Sequence, residues 1–125
     1  MIPRTMKAVL LKGHGGLEQL EYRDDVPVPT PAAGEVLVKV GAAAVNNTDI
    51  NTRIGWYSKS VATATADAVA QTASEATDGG WAGNPFVFPR IQGTDVCGRI
   101  VAVGAGVAEA RLGQRVIVDP VLRPV

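Results

Sequence analysis

The feature that most constrains this chain is its punctuation. Short runs rich in Val, Ile and Thr are broken at close intervals by the 14 glycines and 8 prolines of its 125 residues. That mixture suits several short strands joined by tight turns. Met6 to Leu11 (MKAVLL) reads as a first strand closed by Gly13-His14-Gly15-Gly16, and Leu20 to Arg23 as a returning one. Pro27, Pro29 and Pro31 alternate with Val28 and Thr30, which forces an extended path. Val36 to Val45 reads as a longer strand, with Val36, Val38 and Val40 on one face and Leu37 and Lys39 on the other. Asn46 to Ile54 reads as a short helical turn. Gly93 to Val103 reads as a central strand in which Gly98 marks a bulge or a close backbone approach. Arg115 to Val118 is the last strand. The expectation is a mainly β chain, a small antiparallel barrel with one short helix.

Length predicts one domain. Twelve basic residues balance twelve acidic ones, leaving no basic surface for phosphates and no expectation of a nucleic-acid partner. No apolar run approaches the roughly 20 residues that span a bilayer. Met1 to Lys7 lacks the layout of a signal peptide. No membrane association and a cytoplasmic location are therefore expected. A single cysteine, Cys97, excludes an internal disulfide and a multi-cysteine structural zinc site.

Residues 60–84 differ from their surroundings. Eight of these 25 residues are Ala, four are Thr and none is Lys or Arg. Val61, Ala68, Val69, Thr72 and Ala76 have loosely helical spacing, and Gly79-Gly80 would stop a helix. The segment reads as an inserted surface loop, part helical, or as a lid or partner-binding loop. Trp81, Phe86 and Phe88 are expected to anchor it to the barrel.

Among residues able to do chemistry, His14 sits in a glycine turn and reads as a solvated turn residue. Without a partner for it, Ser-His-Asp or Cys-His catalysis is not expected. Cys97 reads as a small core residue. Gly104-Ala105-Gly106 lacks a third glycine and opens no helix, so it is not a dinucleotide-binding fingerprint. Asn46-Asn47-Thr48-Asp49 places two amides, a hydroxyl and a carboxylate where a strand meets a helical turn. This group can orient a polar ligand and relay a proton through the Thr48 hydroxyl, or it can cap the helix. Both readings stand.

The ordered series MKAVLL, P-x-P-x-P-x-x-G-E-V-L-V-K-V, V-N-N-T-D, G-T-D-V-C-G-R-I-V-A-V-G and L-G-Q-R-V resembles the N-terminal domain of medium-chain dehydrogenases/reductases. The resemblance spans the chain except residues 60–84. It implies a co-chaperonin-like (GroES-like) barrel. The zinc alcohol dehydrogenases of that family carry Cys at the position of Asn46 and Gly-His-Glu at Gly93-Thr94-Asp95, and their four-cysteine structural lobe has no counterpart here. The match is closer to the zinc-independent quinone oxidoreductases, whose Arg, Gly and Tyr correspond to Arg53, Gly55 and Tyr57. By that resemblance Asn46, Thr48 and Tyr57 are the expected catalytic residues. Asn46 and Arg53 are the expected cofactor-side residues, Asp49 and Asp95 are structural, and no residue binds a metal. NADPH or NADH would carry the hydride to or from a carbonyl, quinone or enone, without zinc. An amide or phenol donor aimed at the carbonyl oxygen would stabilise developing charge.

The family's Rossmann cofactor domain lies beyond what these 125 residues cover. The expectation is thus a substrate-side domain that binds no cofactor and is inactive alone, from a homodimeric oxidoreductase. Two alternatives remain open. The barrel could be a ring-forming, co-chaperonin-like binding module, with residues 60–84 as its partner loop. Or it could be a zinc alcohol dehydrogenase domain whose metal is held by Asp95, Asp49 and His14.

Overall fold

The computed structural model describes residues 1–58 and 85–120. The expected helix in the Ala-rich segment and the anchoring role of Trp81 lie outside the described residues. The described residues form five strands: β1 (Thr5–Leu11), β2 (Leu20–Pro27), β3 (Val36–Ala44), β4 (Asp95–Val103) and β5 (Arg115–Ile117). Among the described residues one α-helix, α1, spans Asn47–Arg53, and single 3-10 turns occupy Leu17–Gln19 and Glu109–Arg111. Among the described residues no helix is long and apolar enough to cross a membrane.

β1 pairs with β2, and β3, β4 and β5 form a second sheet in that order. The Lys12 amide donates to the Gln19 carbonyl at 2.9 Å and the Val28 amide to Arg4 at 3.0 Å, so β1 and β2 run antiparallel. β2 runs four residues past the expected Arg23, through Asp24-Asp25-Val26-Pro27. The first of the alternating prolines therefore closes a strand, as its fixed φ and missing N–H permit at an edge.

The described residues divide into two compact units. One comprises Met1–Met6, Asp25–Val45 and residues from Gly93 onward; the other comprises Lys7–Asp24 and the described residues between Asn46 and Gln92. In the first unit β3 and β4 pair antiparallel, with Val38 opposite Ile100, Lys39 opposite Arg99 and Val40 opposite Gly98. The register then shifts between Val40 and Ala42, which leaves Gly41 as the extra residue of a bulge. Gly98 lies at that irregularity. A Cβ there would run into the Lys39 carbonyl oxygen and come within 2.7 Å of Val38 Cγ1. The close approach expected at Gly98 is thus real. The expected alternation on β3 is not kept to its end, because Val40, at the edge of this irregularity, is 56% exposed. Ile100 is buried at the centre of this unit, while Leu11 and Ile54 are buried in the other.

Candidate functional site

The second unit carries the candidate site around α1. Asn46 is the N-cap, with extended φ/ψ of −107° and 162°. Its side-chain oxygen accepts from the Thr48 amide at 3.5 Å, and the Asp49 carboxylate accepts from the Asn46 amide at 2.8 Å. Together they make a reciprocal capping box that satisfies amides left over at the helix start. The capping reading of Asn46 and Asp49 is therefore realised in the geometry. Thr48 is different: its Oγ1 is buried and has no hydrogen-bond partner among the described residues. Its carbonyl accepts from Thr52 Oγ1 at 2.8 Å, one turn on.

The C-terminal end of α1 is held by the glycine turn between β1 and β2. Arg53 Nη1 donates to the Gly15 carbonyl at 2.6 Å, and the Gly15 amide donates back to the Arg53 carbonyl at 2.8 Å. His14 Nδ1 lies 2.8 Å from the Thr52 carbonyl, and since a carbonyl only accepts, this nitrogen carries the proton. The His14 ring packs edge-on against Phe88, with centroids 5.1 Å apart, and is tilted against Phe86 at 6.4 Å. The solvated turn residue expected at His14 is thus corrected to a part-buried, bonded one. The Arg90 guanidinium lies 4.2 Å over the Phe86 ring, a cation–π contact. Glu18, at the same turn, has its carboxyl held below the usual range by the backbone amides of Glu18 and Gly16, with the Arg53 charge adding to the effect.

Tyr57 follows the helix, half-buried, its ring perpendicular to Trp56 with centroids 5.6 Å apart. Asp95, the first residue of β4, belongs to the other unit and pairs with Ala44. Cys97, expected in the core, is a free and partly exposed thiol. Of the alternative ligand set, His14 and Asp49 lie in one unit and Asp95 in the other. Among the described residues no group of three or more His, Cys, Asp or Glu side chains could hold a metal ion. His14 Nδ1 donates to the Thr52 carbonyl, and Asp49 Oδ2 accepts from the Asn46 amide in the helix cap.

Sequence reasoning passed over three residues that support this helix. Gln92 Nε2 donates to the Asp49 carbonyl at 3.2 Å, Thr52 braces Thr48, and Asn51 is 6% exposed with its Oδ1 unpartnered among the described residues. A polar triplet Asn51-Thr52-Arg53 inside a helix was the available signal, since burying it demands partners.

Comparison with known proteins adds to this geometry. The chain is 34% identical over 118 residues to the starvation-sensing protein RspB of Escherichia coli K12, covering 94% of this chain and 26% of that protein. It is 32% identical over 113 residues to the quinone oxidoreductase of Rattus norvegicus, covering 90% of this chain and 27% of the enzyme. Its fold matches the structure of a Sinorhizobium meliloti 1021 protein assigned as an alcohol dehydrogenase, with TM-score 0.73 and 52% identity over 94% of this chain and 30% of that one. The chain thus spans about a quarter of the length of these curated relatives. The profile of the alcohol dehydrogenase GroES-like domain matches residues 32–124, and the chain belongs to that family.

Proposed function

We propose that this chain is the substrate-side portion of an NAD(P)H-dependent oxidoreductase that moves a hydride to or from a carbonyl, quinone or enone without catalytic zinc, in a cytoplasmic homodimer. One observation carries the reading. In the first turn of α1, Asn46 Oδ1 and Asp49 Oδ2 make the cap, while the Thr48 hydroxyl between them is buried with no partner among the described residues. A buried hydroxyl without a partner costs about 1–3 kcal/mol, and a substrate oxygen would remove that cost.

When bound, the nicotinamide cofactor supplies or accepts the hydride. In the reducing direction Thr48 Oγ1 relays a proton, giving its own to the substrate oxygen and taking one back from solvent water, so that hydride and proton together account for the alcohol, the hydroquinone or, from an enone, the enol of the saturated carbonyl. Asn46 and Asp49 hold the turn that presents Thr48. Tyr57 offers a phenol to the same oxygen, and Arg53 contributes fixed positive charge on the cofactor side. Nothing in this scheme calls for a metal.

The test uses the complete gene product. Dialysis against a chelator followed by NAD(P)H oxidation with quinones, enones and aldehydes is expected to leave turnover unchanged. Loss of activity that added zinc restores would overturn the metal-free reading.

A further inference from the structure

A second site emerges on the sheet β3-β4-β5, apart from the hydride-transfer reading. Lys39 lies directly opposite Arg99, and Arg99 directly opposite Arg115, so three cations share one row across three strands. Directly opposed like charges destabilise a sheet, and no described carboxylate pairs with any of the three. Arg99 is held in place: its Nη1 donates to the Gly113 carbonyl at 2.9 Å. All three residues border a groove of about 700 Å³ whose walls include Val40 and Val116, within the usual range for small-ligand sites.

We propose that this row is an anion site for a small ligand bearing a diphosphate group. Guanidinium forks match pairs of phosphate oxygens, and a lysine adds a point charge. Strands spaced about 4.8 Å apart make the row roughly 10 Å long. That is wider than one tetrahedral anion spans and suited to two linked ones. The row is unfavourable for the empty sheet and favourable once an anion neutralises it, as expected of a site that gives up stability for binding.

The test is calorimetric titration of the 125-residue chain with inorganic pyrophosphate, against sodium chloride at matched ionic strength. Saturable one-to-one binding is expected, with orthophosphate about tenfold weaker and with Lys39→Gln and Arg115→Gln each costing about tenfold. Thermal melts provide a second readout. Without anion, Arg115→Gln is expected to melt about 1–4 °C above the parent chain, because repulsion is relieved, and pyrophosphate no longer raises its Tm. Displacement of pyrophosphate by ADP would assign the site to diphosphate esters, and failure of ADP to compete would assign it to free diphosphate. Heats indistinguishable from sodium chloride, or undiminished binding by both variants, would overturn the proposal.

Discussion

Arg53 and Gly15 hold each other by two hydrogen bonds, guanidinium to carbonyl at 2.6 Å and amide to carbonyl at 2.8 Å. Thirty-eight residues apart, they tie the glycine turn to the last turn of α1. Arg53 is 9% exposed, so its loss leaves a carbonyl without its donor. Arg53→Met is expected to cost about 1.5–3 kcal/mol, read from urea unfolding of the chain. A change within the error of the fit would mean that the clamp is not made in solution.

Gly98 gives a sharper steric prediction. Any Cβ there meets backbone, which cannot swing aside as a side-chain tip can. Gly98→Ala is expected to destabilise by about 1–3 kcal/mol. Gly41→Ala, whose Cβ would stop 3.8 Å from the Cys97 carbonyl, should cost under about 1 kcal/mol. Equal melting temperatures for the two variants would refute the close approach of β3 and β4.

These two positions also show where sequence is informative. Gly98 was legible because a glycine inside a Val/Ile run has few uses, and backbone approach is one of them. The same local logic located β3 to β5 and the start of α1, where Asn46 and Asp49 have cap chemistry. His14 was misread because its partners, the Thr52 carbonyl and the Phe86 and Phe88 rings, are distant in sequence. The extension of β2 to Pro27 was missed because proline argues against a strand unless the position is known to be an edge. At the site, the sequence marked Thr48 as a hydroxyl but held no sign that its oxygen would be buried without a partner, which depends on packing.

Asn46 separates capping from ligand contact. Asn46→Asp keeps an N-cap acceptor and should hold stability within about 0.5 kcal/mol, whereas Asn46→Ala should cost about 1 kcal/mol. In the complete gene product, a lowered kcat for Asn46→Asp at unchanged stability would place the amide against substrate or cofactor. Full activity in that variant would reduce Asn46 to a cap.

Glu18 predicts a pH response. Its folded carboxyl pKa is lowered, chiefly by backbone amides. The stability it contributes is therefore present above the ordinary carboxylate pKa and lost as pH falls through the lowered folded value. The Gly16 amide, 2.8 Å from Glu18 Oε1, should report this as an NMR shift titrating below the ordinary carboxylate range. Glu18→Gln should abolish that titration, and a midpoint at or above the ordinary value would contradict it.

The most direct test of the account is steady-state NADPH oxidation by the complete gene product with a quinone acceptor, comparing Thr48, Thr48→Ser and Thr48→Val. If the buried hydroxyl delivers the proton, serine should retain turnover and valine, of nearly the same shape, should lower kcat about 10²-fold or more. Wild-type turnover by Thr48→Val would contradict the central claim.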